Sequence, residues 1–179
     1  YRARAGAREI LADTEALVRQ VVRETLGRET LDVGGTAVDL AAPWRVLTVR
    51  EAFRTWAGWD PVAAYDADRF DLDLVTRVEP ALPRDRAVVL TDYPAAAAAL
   101  ARLSPADPAV AERWELYIGG LELANAYGEL TDPAAQRERF MACAAARRAA
   151  GREVYPLDEP FLAALEAGMP PAGGIALGV

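Results

Sequence analysis

Three glutamates, the asparagine and the second of two tyrosines interrupt an apolar, strand-like stretch between Trp114 and Pro133, and together these side chains could do chemistry. They are Glu115, Glu122, Asn125, Tyr127 and Glu129. Asn125 is the only asparagine in the chain. Carboxylate oxygens are ligands that Mg²⁺ prefers, and a carboxylate removed from water needs a cationic partner. The stretch therefore predicts a site for a metal–nucleotide and a cationic substrate.

The spacing of the first two glutamates leaves two interpretations open. If Gly119-Gly120 is a two-residue turn, Tyr117 lies opposite Glu122, and Glu115 is the diagonal neighbour of Glu122, about 7 Å away on the same face. Carboxylates at this distance repel each other unless a cation lies between them, and Mg²⁺ with a nucleotide phosphate would remove the repulsion. From spacing alone, the simpler interpretation is that both glutamates are solvated on an exposed face of the sheet.

The second group of polar residues requires an irregularity in the strand. Asn125, Tyr127 and Glu129 alternate and share a face, but strict alternation puts them on the face opposite to Glu122. A β-bulge near residues 123–125 would bring all five polar side chains to one side. We therefore predict a bulge there, with the acids facing one shared cavity.

The composition restricts the chemistry further. The 53% hydrophobic and 26% charged content of the 179 residues is typical of one globular domain. All 20 basic residues are arginine, which excludes a Ser-His-Asp triad, a Schiff-base lysine, a P-loop lysine and His-ligated zinc within this chain. The net charge of −7 argues against a nucleic-acid platform. The single Cys143 excludes an internal disulfide and fits a reducing cytoplasm, and no apolar run is long enough to span a membrane.

The first half of the chain predicts helices more clearly than strands. Helical apolar spacing runs over residues 6–26 and ends at Gly27, and residues 36–40 could form a short strand. A capping box at Thr48 opens a short helix that ends at Gly58. The Asp-, Arg- and Pro-rich region 63–86 is predicted to be a loop.

The second half predicts the sheet and two further helices. A buried strand over residues 87–94 precedes an alanine run, 95–99, that we interpret as helical filler. Residues 112–118 and 121–130 form a strand pair, and 133–150 a helix. Asp158 opens a last helix to about residue 167, with its apolar face, Phe161, Leu162 and Leu165, toward the core. The expected fold class is α+β, an antiparallel sheet flanked by helices.

Three runs carry a resemblance to a known family: ELYIGGLELANAYGELTDP, QRERF and LDEPFLAALEAGMPPAGGIALGV. They resemble the catalytic domain of class II lysyl-tRNA synthetases, and among these the paralogous elongation factor P β-lysine ligases. The likeness is densest over residues 87–179 and extends to residues 1–25, whereas 28–86 matches poorly. It implies that residues 1–179 are part of one class II catalytic domain with a variable insertion around 28–86.

The resemblance also implies a role for each site residue, with ATP and Mg²⁺ as cofactors. Glu115 and Glu122 would hold Mg²⁺ and the ATP phosphates. Asn125 would contact the substrate carboxylate, and Glu129 would pair with the side-chain ammonium of lysine. The remaining members of the implied site are Tyr1 near that ammonium, Tyr127 as an aromatic wall, and Gly174 and Gly178 against the adenine.

Ala176 distinguishes the two subfamilies. Lysyl-tRNA synthetases usually have glycine where this chain reads GIALG, whereas the elongation factor P ligases have alanine. A methyl group there would disfavour an α-amino group and tolerate β-lysine, although neutral drift in a tight turn is the simpler explanation.

The arginines that bind the α- and γ-phosphates in this class have no counterpart in these 179 residues. We therefore name no catalytic residue here and expect this segment to be inactive alone. For the whole protein we expect ATP-dependent activation of lysine or β-lysine and transfer to a lysine side chain of elongation factor P. The alternatives are an authentic lysyl-tRNA synthetase and a degenerate paralogue that acts as a binding module. A cytoplasmic homodimer without membrane contact is expected.

Overall fold

The computed structural model describes residues 1–178, which contain eight strands and five α-helices. The strands are β1 (Arg2–Ala3), β2 (Thr30–Val33), β3 (Thr36–Asp39), β4 (Arg45–Thr48), β5 (Val88–Pro94), β6 (Val110–Ile118), β7 (Leu121–Gly128) and β8 (Ala172–Leu177). Six of them form one sheet in the order β1-β8-β7-β6-β5-β4, and all neighbours are antiparallel except β4 and β5. The other two, β2 and β3, form a separate hairpin. The predicted α+β fold class is confirmed.

The five helices are α1 (Ala7–Leu26), α2 (Val49–Trp56), α3 (Ala67–Asp73), α4 (Pro133–Ala149) and α5 (Glu159–Glu166). Four of the five helices were predicted, with ends within about two residues of the observed ones, and α3 was not. The capping box of α2 is confirmed, since the Thr48 hydroxyl accepts from the Glu51 N–H while the Glu51 carboxylate accepts from the Thr48 N–H. Asp132 and Asp158 are the N-caps of α4 and α5, and their carboxylates accept from backbone N–H groups of the first turn without a reciprocal capping box.

No helix formed by residues 1–178 combines the length and the apolar character needed to cross a membrane.

The prediction of a loop over residues 63–86 was wrong. Asp66 caps α3, which continues into a π-helical turn, Leu74–Val78, and a 3-10 turn, Glu79–Ala81. Phe70 is buried and stacks on Phe53 of α2 with 4.8 Å between ring centroids. The helical spacing of the apolar residues, four apart at 70, 74 and 78, is hidden in the sequence by the Asp and Arg residues that fill the exposed face.

Two smaller expectations also fail. The alanine run forms only a single 3-10 turn, Ala95–Ala97, and Ala99 has a positive φ of 49°. Phe161 is 38% exposed and packs on Phe140 at the surface, while Leu162 and Leu165 are buried as expected. The buried face of α5 is therefore formed by Leu162 and Leu165, without Phe161.

Alternation along β6 sends its side chains to two different packing layers. Trp114 and Leu116 pack with Ile10 of α1 in one buried cluster, while Tyr117 packs with Phe53 of α2 in another. The Trp114 indole N–H donates to the Ala7 carbonyl, 2.7 Å away, which fixes α1 against its layer. Glu115, which shares the parity of Tyr117, is therefore held on the α2 side of the sheet.

The Gly119-Gly120 turn between β6 and β7 is confirmed. Both glycines have positive φ, 63° and 86°, as a type I′ turn requires. The β2–β3 hairpin packs on this turn, because a Cβ on Gly119 would lie 2.6 Å from Cγ1 of Val33. The turn therefore needs glycine for its backbone conformation and for this close approach.

We expect Gly119→Ala to lower the free energy of unfolding by about 1–2 kcal/mol from the left-handed conformation alone. The overlap with Val33 should add to that loss. Gly34→Ala is a matched control, since Gly34 has a similar φ of 58° and nothing within 4 Å of an added Cβ. Urea denaturation of both variants measures the difference, and equal losses would contradict the seating of the hairpin on the turn.

Candidate functional site

A β-bulge brings the predicted polar residues to one face of the sheet. Tyr117 pairs with Glu122, but the next residue of β6, Leu116, pairs with Ala124, so Leu123 is the extra residue on β7. Beyond the bulge, Glu115 pairs directly with Asn125. The predicted bulge is confirmed, and it places Glu115, Glu122, Asn125 and Tyr127 on the same side.

Glu115 is the centre of a buried hydrogen-bond network that joins three strands. It is 4% exposed, and its Oε1 accepts from Arg113 at 2.7 Å and from the Asn125 amide at 3.2 Å. Its Oε2 accepts from the hydroxyls of Tyr93 and Tyr117, the latter at 2.8 Å. A carboxylate has about four lone-pair positions, and here each has a donor. A metal ion would reach this carboxylate only by displacing one of them.

Arg113 and Tyr93 belong to this network, and the sequence reasoning missed both. The Arg113 guanidinium lies 4.3 Å from the centroid of the Tyr93 ring and also donates to the Ala97 carbonyl at 2.7 Å. Burial raises the pKa of Tyr93 far above its usual value, so its hydroxyl stays protonated and donates. The position of Arg113 two residues before Glu115 could have revealed it, because i and i+2 share a face of a strand.

A second group of acids lies at the Gly119-Gly120 end of this face. Glu122 is exposed, and Glu79, from the 3-10 turn, lies 3.2 Å from the Tyr117 hydroxyl. Partial removal of their carboxyl groups from water raises the pKa of Glu79 and, despite the exposure of the residue as a whole, of Glu122; the negative charge of Glu115 raises both further. Nothing in the sequence indicated Glu79. Like charges gathered in this way favour the arrival of a cation.

The donors at this end fit a hydrated magnesium ion better than a preformed protein cage. No group of three or more metal-ligating side chains within residues 1–178 is close enough to hold an ion alone. Mg²⁺ usually keeps several waters and is bound through one or two carboxylates together with substrate phosphates. The exposed Glu122 meets that requirement, and Oδ1 of Asn125 is a further oxygen, buried and without a hydrogen-bond partner in the described part of the chain.

Glu129 and Tyr1 meet at the opposite end of the face. A Cβ on Gly174 would lie 2.3 Å from Oε1 of Glu129 and 2.7 Å from the Tyr1 ring, so only glycine leaves room for both. Burial raises the pKa of Glu129, because its charge is partly removed from water. No arginine among residues 1–178 forms an ion pair with Glu129. This end therefore presents one desolvated carboxylate beside an aromatic ring.

Strand β8 places the remaining predicted residues along the same face. Gly174 pairs with Tyr127 and Ala176 with Asn125, so the Ala176 methyl group borders the Asn125 amide. Gly178 donates its N–H to the carbonyl of the bulged residue Leu123, 2.8 Å away. Gly174 thus lies at the Glu129 end and Gly178 toward the Glu122 end.

Three cavities in the described part of the chain are lined by other side chains, and the cavity that we expect the acids to share stays a prediction. A cavity of about 860 Å³ lies on the other side of the sheet, next to α1, where Glu112 and Trp114 line it. Side chains alternate between the two faces of β6, so Glu112 and Trp114 point to the face opposite to Glu115. This cavity is therefore separate from the acids.

Comparison with known proteins identifies relatives of the chain. Residues 2–179 match the family described as tRNA synthetases class II (D, K and N). The lysine–tRNA ligase of Moorella thermoacetica is 38% identical over 92% of this chain and 38% of its own length. Those of Pelotomaculum thermopropionicum and a Nostoc species are 35% and 34% identical over the whole chain and over 40% and 36% of their own lengths. The chain spans about two fifths of the curated relatives that it matches.

Tyr93→Phe removes one donor from the buried Glu115 carboxylate and changes little else. A hydrogen bond to a charged group contributes about 1.5–3 kcal/mol, so we expect the free energy of unfolding to fall by roughly that amount. Tyr155→Phe, at a tyrosine that is 60% exposed, is the control and should be neutral. Urea denaturation measures both, and an unchanged midpoint for Tyr93→Phe would show that Glu115 does not depend on this donor.

Proposed function

The chain belongs to the class II tRNA synthetases of the D, K and N type, and on that premise we propose that it is part of the catalytic domain of an enzyme that activates lysine with ATP. The arrangement of Glu115, Glu122, Asn125 and Glu129 on one face of the sheet carries the proposal. Because the chain spans two fifths of its relatives, the activity belongs to the whole protein. Within it, we propose that residues 28–86 contain a variable insertion.

The proposed reaction is formation of lysyl-adenylate. A carboxylate oxygen of lysine attacks the α-phosphorus of ATP, and the bond from that phosphorus to the bridging oxygen of the β-phosphate breaks, so pyrophosphate leaves. The attacking carboxylate is ionised at neutral pH and needs no general base, which agrees with a chain that has no histidine. Magnesium, when bound, would neutralise phosphate charge. We propose that Glu122 holds it directly and that Glu115, whose carboxylate already accepts four hydrogen bonds, contributes negative charge beside it.

Glu129 is proposed to select the side-chain ammonium of lysine. It is partly desolvated and has no arginine partner among residues 1–178, so an external ammonium would restore a favourable charge pair. Tyr1 and Tyr127 would enclose the aliphatic part of the substrate, and Asn125 would contact its carboxylate. Gly178 remains a candidate for the adenine, whereas the position of Gly174 beside Glu129 supports a role on the lysine side.

The acceptor of the lysyl group has two candidates. The relatives above are all lysine–tRNA ligases, which favours tRNA over the elongation factor P acceptor that the resemblance first suggested. Elongation factor P stays a second candidate because Ala176 places a methyl group beside Asn125, where a β-amino acid would be accommodated better. The complete set of acids argues against a binding module without catalysis, and we propose a homodimer as the assembly.

Glu129→Gln tests the proposed selection of ammonium in the full-length protein. Loss of a hydrogen-bonded charge pair of about 1.5–3 kcal/mol should raise the KM for lysine roughly 10- to 150-fold in ATP–pyrophosphate exchange. Since burial raises the pKa of Glu129, wild-type KM should rise as pH falls through that raised pKa, and the variant should lack this dependence. Glu153→Gln, at an exposed glutamate, is the control. An unchanged KM in Glu129→Gln would remove Glu129 from the site.

The acceptor is tested by comparing α- and β-lysine, with tRNA and elongation factor P in parallel transfer assays. On the tRNA proposal, wild type activates α-lysine and charges tRNA, and Ala176→Gly changes the preference little. If wild type instead prefers β-lysine and modifies elongation factor P, Ala176→Gly should shift the preference toward α-lysine. That second result would overturn tRNA as the acceptor.

A further inference from the structure

We propose that Arg113 is a positioning residue: it holds the Glu115 carboxylate in place and, through Glu115, fixes which way the Asn125 amide faces the site. The inference deepens the proposed function, because Asn125 is the residue proposed to contact the lysine carboxylate. It is carried by the hydrogen bonds among these three residues and by what each group can donate or accept.

The Arg113 guanidinium makes two hydrogen bonds and one contact with an aromatic ring. One nitrogen donates to the Ala97 carbonyl at 2.7 Å, another donates to Oε1 of Glu115 at 2.7 Å, and the plane lies over the Tyr93 ring. The side chain is only 17% exposed. A planar fork can bridge two acceptors in this way, whereas the single ammonium of a lysine cannot reproduce both directions and the ring contact. Arg113 therefore fixes the position of the carboxylate as well as supplying charge.

The fixed carboxylate dictates the orientation of the Asn125 amide. An ionised carboxylate only accepts hydrogen bonds, so the group of Asn125 that faces Oε1, 3.2 Å away, has to be Nδ2. The other carboxylate oxygen is occupied by the hydroxyls of Tyr93 and Tyr117 and offers no alternative position. The Asn125 Oδ1 is consequently turned away from Glu115, and it is buried without a partner in the described part of the chain.

An asparagine amide is nearly symmetric in shape, so packing alone does not distinguish its two orientations. Nδ2 carries two N–H bonds, and the one that Glu115 does not accept is the donor for the substrate carboxylate. If Glu115 moved, the amide could rotate by half a turn and put Oδ1 at the position of Nδ2. A substrate carboxylate would then meet an acceptor in place of a donor. Arg113 thus acts on the substrate only through Glu115 and Asn125.

Selective NMR of the asparagine side chain tests this inference without relying on activity. Full-length protein is labelled with ¹⁵N-asparagine, and the Asn125 amide pair is assigned by its disappearance in Asn125→Ala. In wild type we expect two well-separated amide protons, one of them protected from exchange by its bond to Glu115. In Arg113→Met the separation and the protection should be lost, whereas Arg113→Lys should keep part of both. An unchanged Asn125 pair in Arg113→Met would overturn the inference.

The matched control is Arg137→Met, which removes an arginine that pairs with Glu159 on the surface and should leave the Asn125 signals unchanged. In ATP–pyrophosphate exchange, Arg113→Met should lower kcat/KM for lysine about 100-fold, as expected for a misplaced substrate contact. Arg113→Lys should recover part of this loss, and an equal loss in both variants would overturn the positioning role. If Arg113→Met does not fold, both the Asn125 NMR signals and the exchange activity are measured on Arg113→Lys. Wild type without exchange activity but with a protected Asn125 amide would reject the proposed function and support the positioning of Asn125.

Discussion

The one-residue bulge at Leu123 is the constraint on which the site depends. Side chains alternate between two faces along a strand, so one extra residue moves everything beyond it to the other side. Without it, Asn125 would face α1, in the layer that buries Trp114 and Leu116. A polar amide there would lack partners, and Glu115 would lose a donor. The bulge therefore serves packing and chemistry together, since it keeps the α1 layer apolar and gathers the polar side chains on the opposite face.

Burial of Glu115 is costly, and the surrounding strands offset that cost with four donors. Tyr93 comes from β5, Arg113 and Tyr117 from β6, and Asn125 from β7. A buried charge that is fully hydrogen-bonded rigidifies its surroundings, whereas one that loses a partner is strongly destabilising. The centre of the face is therefore fully hydrogen-bonded, while Glu122 is exposed and Glu129 partly exposed at its two ends.

The sequence predicted those features that depend on residues close together in the chain. The turn at Gly119-Gly120, the capping box at Thr48 and the bulge all follow from short-range spacing and were confirmed. It missed Tyr93, which pairs with Glu115 across 22 positions, because cross-strand register is not visible in one strand alone. It also missed α3, where charged residues on the exposed face conceal a buried apolar stripe.

The two ends of the face differ in a way that suits two different cations. At one end, Glu79, Glu115 and Glu122 repel one another, and a small divalent ion shared with phosphates would relieve that repulsion. At the other end Glu129 is a single desolvated carboxylate, which a monovalent ammonium neutralises completely. The strand rises about 3.3 Å per residue, so Glu122 and Glu129 are separated by roughly 20 Å, too far to share one ion. Because the 179 residues contain no lysine, no lysine side chain among them competes with the proposed substrate for Glu129.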